Sequence, residues 1–152
     1  MSEMRYFEDL VVGARAAFGS YRVDRDEVIA FARAYDPQPF HLSDEAAART
    51  HFGRLAASGW HTCAMTMAML VKHMQQHHQA SLGSPGLDEL RWLRPVYPGD
   101  TLRCESELIA KRPSASRPEM GLVKDRLTVF NQSGEAVLTM VTNAMIATRP
   151  AK

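Results

Sequence analysis

Alternating apolar and polar positions dominate the second half of the chain and predict a β-sheet. In residues 101–111, apolar or small side chains alternate with charged ones, which is the period of a half-exposed strand. Residues 122–131 show the same alternation. Residues 87–96, 136–148 and 14–21 are predicted as three further strands, the last with a weaker pattern.

Two tight turns are predicted between successive strands. Pro98 and Gly99 have the residue types of a type II turn and are predicted to join residues 87–96 to the strand that follows. Residues 131–134, which end in Gly134, are predicted to join the last two strands in the same way. The sheet is therefore expected to be mainly antiparallel.

One long helix is predicted over residues 60–78. Its first three turns are apolar on every side, so it has to be wrapped by other elements. A long helix buried against a curled antiparallel sheet is an α+β layout. We expect a single domain over residues 1–152, with a half-covered helix face that a second subunit completes.

Two shorter helices are predicted before the long one. Asp24 is a good N-cap residue, and Glu27 lies three residues later as in a capping box. This helix has to end by residue 35 or 36, because Pro37 disfavours helical geometry in the residue before it. Ser43 is predicted to cap a short helix over residues 44–50.

The charge and cysteine content narrow the possible partners and compartment. Eighteen Lys and Arg against 17 Asp and Glu, without runs, provide no basic surface for nucleic acid or a membrane. Cys63 and Cys104 lie in apolar contexts typical of reduced core thiols. Residues 1–6 lack the features of a signal peptide, so a cytoplasmic protein with a small-molecule ligand or a second copy as partner is expected.

The strongest candidate for chemistry is the pair Asp36 and His41, held in a loop stiffened by two prolines. A carboxylate beside an imidazole suits general acid and base catalysis. Asp36 also falls at the end of a helix, where the macrodipole disfavours a negative charge. The alternative is that Asp36 is simply a turn residue before proline.

A second candidate is the start of the long helix at Ser58 and Gly59. The first N–H groups of a helix have no partner within it, so the Gly59 N–H is a candidate oxyanion donor. The alternative is that Gly59 only permits close packing. His73, His77 and His78 have the i, i+4 spacing of metal ligands, but no carboxylate or cysteine flanks them, and no metal site is predicted.

Three segments together resemble a known family. The segments DPQPFH (36–41), ASGWHT (57–62) and LRWLRPVYPGDT (90–101) resemble, in order and spacing, the MaoC-like dehydratases, also called the (R)-specific enoyl-CoA hydratase family. The resemblance covers about residues 7–148. It implies a hotdog fold, in which an antiparallel sheet wraps a central helix and two chains pair through their sheets as a homodimer or a higher oligomer.

The resemblance also implies a reaction and residue roles. Water adds reversibly to a trans-2-enoyl thioester, carried by coenzyme A or an acyl-carrier protein, to give the (R)-3-hydroxyacyl thioester without another cofactor. Asp36 and His41 would hold and activate the water, and the Gly59 N–H would polarise the thioester carbonyl. Which of the two side chains is the base stays open.

The chain departs from the family pattern at two positions. Tyr35 replaces the usual glycine before the aspartate, and Gln38 replaces the usual asparagine. Four residues are predicted to contact the substrate: Gln38, Phe40, Ser58 and Trp60. The rival functions are a hotdog acyl-CoA thioesterase, which usually has an acidic residue on the central helix, and a non-catalytic acyl-thioester binding domain. Residues 60–71 contain no Asp or Glu, which argues against the thioesterase.

Overall fold

The computed structural model describes residues 3–151 as one α+β unit. Residues 1, 2 and 152, over which the domain and signal-peptide predictions also extend, lie outside the described residues. The helices are α1 (Arg25–Tyr35), α2 (Asp44–Ala47) and α3 (Gly59–Gln76), with single 3₁₀ turns at Phe7–Asp9 and Pro39–His41. The strands are β1 (Arg15–Arg22), β2 (Gly86–Trp92), β3 (Thr101–Pro113), β4 (Met120–Phe130) and β5 (Ala136–Ala147).

The five strands form one antiparallel sheet in the order β1-β3-β4-β5-β2. The sheet packs against α3, whose Met65 and Met69 belong to the same buried cluster as inward-facing side chains of β3, β4 and β5. The alternation predicted for β3 is observed, since Leu102 and Cys104 are completely buried and Arg103 is exposed. The predicted α+β layout around a central helix is therefore confirmed.

The connection from β2 to β3 differs from the prediction. The predicted strand over residues 87–96 ends at Trp92, and Pro95, which has no N–H, cannot continue the ladder. Pro98 and Gly99 form the expected turn, with a φ of +94° at Gly99. This turn does not join paired strands, because β2 pairs with β5 while β3 lies between β1 and β4.

The long helix is covered on one side only. Met65 and Met69 face the sheet, whereas Trp60 and Met67 are exposed by 59% and 46%. This open side is the half-covered helix face predicted from the sequence. Neighbouring β2 is an edge strand with six of its seven residues exposed. Among residues 3–151, no helix is long and apolar enough to span a lipid bilayer.

One acidic side chain lies on the buried face of the sheet. Asp125 shares the helix-facing side of β4 with Val123 and Leu127, which are both 1% exposed. Burial raises the pKa of Asp125 to about 6. The folded protein therefore binds a proton at this site more tightly than the unfolded chain does.

Replacing this carboxyl group is expected to stabilise the protein at neutral pH. The wild-type contribution of Asp125 to stability is lost as the pH rises from about 4 to about 6, because the folded state then has to ionise a partly buried group. Asp125→Asn should unfold with a free energy on the order of 2 kcal/mol higher at pH 7.5, and the gain should disappear near pH 4.

Urea unfolding at both pH values measures this difference. Asp88→Asn is the matched control, since the exposed Asp88 accepts hydrogen bonds from Asn143 and Lys124, which lower its pKa. That substitution should give no gain at pH 7.5. A loss of stability in Asp125→Asn at pH 7.5 would show that the carboxylate has a favourable partner.

Candidate active site

The end of α1 and the start of α3, where the candidate catalytic residues were predicted, lie next to each other in the structure. Asp36 is the C-cap residue of α1, and Ser58 is the N-cap residue of α3. The Ser58 hydroxyl donates to Asp36 Oδ2 at 2.7 Å and accepts from the Trp60 N–H at 3.3 Å. One buried hydroxyl group therefore connects the carboxylate to the start of the central helix.

A single 3₁₀ turn brings His41 to this carboxylate. Pro39 begins the turn, and the imidazole of His41 is buried with its Nε2 3.5 Å from Asp36 Oδ2. His41 Nδ1 lies 2.7 Å from the Ala56 carbonyl oxygen. A carbonyl can only accept, so Nδ1 carries the proton and the Nε2 of the neutral ring has a free lone pair.

The environment of Asp36 favours its ionised form. Burial acts to raise the pKa of the carboxyl group, but the hydrogen bonds from Ser58 and Gln38, together with the positive charge that His41 carries whenever its ring is protonated, outweigh burial and hold the pKa below its usual value. The unfavourable helix dipole expected at this position is thus offset locally. Asp36 and His41 Nε2 are two acceptors on the same side of the site.

The residues predicted to contact a substrate fall into two groups. Gln38 and Trp60 line a cavity of about 500 Å³ together with Asp36, His41 and Gly59. Phe40 and Ser58 are not part of its lining. Phe40 packs edge-on against the His41 ring at 4.6 Å, and Ser58 is completely buried. Phe40 and Ser58 therefore contact the Asp36 and His41 pair without lining the cavity.

Gln38 contacts the catalytic candidate directly. Its side-chain amide donates to Asp36 Oδ1 at 2.7 Å, so the two carboxylate oxygens have separate donors. The glutamine side chain is therefore long enough to reach the carboxylate two positions before it. The predicted effect of Gln38 on substrate choice stays a prediction.

Gly59 is the first residue of α3, and its environment requires a glycine. A Cβ added at Gly59 would lie 2.5 Å from Cε2 of Trp92. The Trp92 indole N–H donates to the Gly59 carbonyl oxygen at 2.9 Å, and its ring packs edge-on against Trp60 at 5.3 Å. The close-packing explanation for Gly59 is therefore correct for its side-chain position, and it leaves the N–H available for a second role.

The histidines near the end of α3 lie far along the helix from this site. His73 stacks on Phe18 with a centroid distance of 4.0 Å, and His77 packs edge-on against His73. Within residues 3–151, no three His, Cys, Asp or Glu side chains are arranged to hold a metal ion. Cys63 and Cys104 are free thiols.

The family model described as MaoC like domain matches residues 11–129. The chain belongs to the MaoC-like dehydratase family. Its resemblance to that family, inferred above from three short segments, is thereby confirmed.

Relatives of this MaoC-like chain include enzymes and solved hotdog structures. A MaoC-like dehydratase from Rhodospirillum rubrum is 41% identical, with a TM-score of 0.87 and coverage of 97% of this chain and 99% of that one. A 3-hydroxybutyryl-CoA dehydratase from Methylorubrum extorquens is 31% identical over 76% of this chain and 71% of its own length. An (R)-hydratase from A. caviae is 27% identical, with a TM-score of 0.71 and coverage of 93% and 99%. The predicted hotdog fold and the hydratase or dehydratase type of enzyme are confirmed.

Some site features of this MaoC-like chain are invisible in its sequence pattern. In the sequence, Trp92 is only one residue of a segment that resembles the family, yet it forms a wall of the cavity and fills the space beside Gly59. The Ala56 carbonyl that orients His41 is a backbone group and carries no residue-type signal. The position of Ser58 directly before a glycine at a helix start was the available signal for its N-cap role.

Proposed function

We propose that this protein catalyses the reversible hydration of a trans-2-enoyl thioester to the (R)-3-hydroxyacyl thioester. The oxygen of water bonds to C3 while one of its protons passes to the Asp36 and His41 pair. The electrons of the C2–C3 double bond move toward the thioester carbonyl and form an enolate. A proton from the pair then bonds to C2, so that the elements of one water molecule are added.

The observation that carries this proposal is the convergence of two acceptors. Asp36 is ionised and His41 presents its Nε2 lone pair, so neither group can donate to the other across their 3.5 Å separation. A molecule that donates two hydrogen bonds fits between them and the cavity, and water has this property. The hydrogen bond from Nδ1 to Ala56 keeps the imidazole in the tautomer needed to take up a proton.

The start of α3 supplies the second part of the proposed site. Gly59 lines the same cavity as Asp36 and His41, and its N–H has no acceptor within the helix. A thioester carbonyl placed there would have its enolate charge stabilised by this donor and by the positive end of the helix dipole. Residues of both helix ends thus act on opposite parts of one acyl group.

Coenzyme A is the proposed carrier of the acyl group. The Methylorubrum relative is named for a coenzyme A ester, and it is similar over most of both chains. An acyl-carrier-protein thioester is the alternative. A reducing cytoplasmic compartment agrees with the two free thiols.

A homodimer is proposed to cover the open side of the fold. Large apolar side chains are exposed on α3 at Trp60 and Met67 and on β2 at Leu87 and Trp92. They lie on a half-covered helix and an edge strand, which are the surfaces that a second sheet and helix can bury. Light scattering coupled to size-exclusion chromatography measures the mass against 17.0 kDa for one chain.

The experiment that tests the reaction follows the enoyl-thioester absorbance after adding crotonyl-CoA and then longer or branched trans-2-enoyl-CoAs. Loss of the band with an (R)-3-hydroxy product supports the proposal. Release of free thiol without hydration would indicate the thioesterase instead, although α3 contains no acidic residue. Binding without turnover of any ester would indicate the non-catalytic domain.

Removing the donor at residue 38 is expected to shift the pH dependence of this reaction. Gln38→Met keeps the length of the side chain but deletes the hydrogen bond to Asp36 Oδ1, which helps to lower the pKa of Asp36. The pKa of Asp36 should rise, so the acidic limb of the kcat/KM profile should move to higher pH. Gln38→Asn is the control for side-chain length. An unchanged acidic limb in Gln38→Met would contradict the assignment of that limb to Asp36.

A further inference from the structure

A second histidine, His61, is buried beside the site without lining its cavity. Its side chain is in the first turn of α3, the residue is 3% exposed, and its Nε2 lies 3.1 Å from Glu27 Oε1. The same Glu27 oxygen accepts a hydrogen bond from the Tyr21 hydroxyl. Phe31 stacks on the His61 ring with a centroid distance of 4.7 Å and an angle of 11°.

This cluster joins three elements of the fold. Tyr21 belongs to β1, Glu27 and Phe31 to α1, and His61 to α3. Asp24 caps α1 as predicted by accepting from the Glu27 N–H. The Glu27 carboxylate, expected from the capping-box pattern to serve its own helix, instead bonds Tyr21 and His61. We name the three residues that join α1 to α3, Glu27, Phe31 and His61, the helix clamp.

The His61 ring is an unfavourable choice for stability alone. Its Nδ1 is buried and has no hydrogen-bond partner among residues 3–151. A neutral ring that donates from Nε2 leaves a lone pair unpaired at Nδ1, and a protonated ring leaves an N–H unpaired there. Either state costs free energy that an apolar side chain of similar size would not cost. Unpaired buried polar groups of this kind call for a functional explanation.

The helices that the clamp joins are the two that carry the proposed chemistry. α1 ends at Asp36, and α3 begins immediately after Ser58 with Gly59 as its first residue. Asp36 is attached to the start of α3 by the side-chain hydrogen bond from the N-cap residue Ser58. The clamp adds a second attachment between the helices, at the start and the middle of α1.

We propose that His61 is a positioning residue, which locks α1 against α3 through Glu27 and so holds the Asp36 carboxylate at its working distance from the Gly59 N–H. This inference rests on the proposed hydratase function. His61 touches no reacting group, because neither it nor Glu27 lines the cavity. A small shift of α1 misplaces the carboxylate relative to the bound acyl group, and misplacement of this kind slows the chemical step more than it weakens binding.

The test compares His61→Met with His61→Gln. Methionine fills the apolar space without a donor, whereas the glutamine amide is able to donate to Glu27. His61→Met should lower kcat at least tenfold and change KM by less than twofold, with a melting temperature equal to or above that of the wild type. His61→Gln should recover most of kcat. Tyr21→Phe, which removes the other donor to the same oxygen and leaves the His61 bond intact, should stay close to the wild type.

A readout that needs no substrate accompanies the kinetics. Titration of the Asp36 carboxyl carbon by NMR reports whether the hydrogen bonds from Ser58 and Gln38, which lower the pKa of Asp36, still form. In His61→Met the pKa of Asp36 should rise toward its usual value, and in His61→Gln it should stay low. This measurement decides the inference even if the wild-type protein hydrates none of the esters.

Three results would overturn the inference. One is a His61→Met protein with wild-type kcat and an unchanged Asp36 titration. Another is an equal loss of kcat in His61→Met and His61→Gln, which would show that the hydrogen bond to Glu27 has no part in positioning Asp36. The third is a loss of kcat that only follows a lower melting temperature, with Asp36 titrating as in the wild type, since His61 would then be structural. A wild-type protein without hydratase activity would instead contradict the proposed function.

Discussion

Asp36→Asn is expected to lower kcat for enoyl-thioester hydration by about 10²- to 10⁴-fold, the usual contribution of a general acid or base. The asparagine keeps the size of the side chain and an oxygen acceptor, but it has no negative charge to receive a proton. His41 remains bound to the Ala56 carbonyl, so the imidazole stays in place while its partner is lost. The loss should appear in kcat more than in KM.

The stability of the Asp36→Asn protein separates catalysis from a structural effect. The folded environment lowers the pKa of Asp36, so the carboxylate stabilises the fold above its ordinary pKa near 3.8 and this contribution is lost as the pH falls through the lower folded value. At pH 7.5 the melting temperature should therefore fall by only a few degrees. Asp26→Asn, on an exposed part of α1, is the control that should keep full activity. Unchanged turnover in Asp36→Asn would contradict the assignment of Asp36 as the general acid or base.

Replacing Gly59 by proline is expected to cost about 10²- to 10³-fold in kcat, the usual effect of losing one oxyanion donor. Proline is well tolerated at the first position of a helix, and it deletes only the N–H group there. Ser58 already has φ −56° and ψ 140°, the extended geometry that a residue before proline prefers. The steric obstacle is Trp92, whose ring lies where the new Cβ would be placed.

The comparison therefore uses two double variants in the same background. Trp92→Leu makes room beside residue 59, and it is combined either with Gly59→Pro or with Gly59→Ala. The two proteins differ chiefly in whether residue 59 has an N–H. Hydration kinetics and circular dichroism of both variants show whether the rate falls without loss of helix. Equal rates in the two proteins would show that the Gly59 N–H takes no part in the reaction.

Much of the fold follows from local sequence signals, and the exceptions involve contacts between distant parts of the chain. The caps Asp24 and Ser43 and the stop at Pro37 fixed the helix starts and the end of α1, because capping and proline act within a few residues. The alternation in β3 and β4 likewise predicted their buried faces. The pairing of β2 with β5 was missed, since strand order depends on packing of the whole sheet and a turn sequence reports only its own geometry.

The candidate site shows the same division. Asp36 and His41 lie five positions apart in one loop, so their proximity could be predicted from the chain itself. The contacts of Trp92 with Gly59 and of His61 with Glu27 span 33 and 34 positions. Such contacts depend on how the helices and strands pack, and a single sequence does not indicate which distant side chains will meet. The burial of Asp125 was not predicted either, because one carboxylate in a clearly alternating strand does not alter the pattern.

The two tryptophans also provide a fluorescence signal that reports on the cavity. The chain has two tryptophans, Trp60 and Trp92, and both line the cavity with their rings 5.3 Å apart. Intrinsic fluorescence excited at the indole band therefore originates entirely at the site. An acyl thioester entering the cavity changes the polarity around both emitters, so affinities for unreactive analogues become measurable without a label. Ligand binding would also change the sign and shape of the near-ultraviolet circular dichroism band of the two neighbouring indoles.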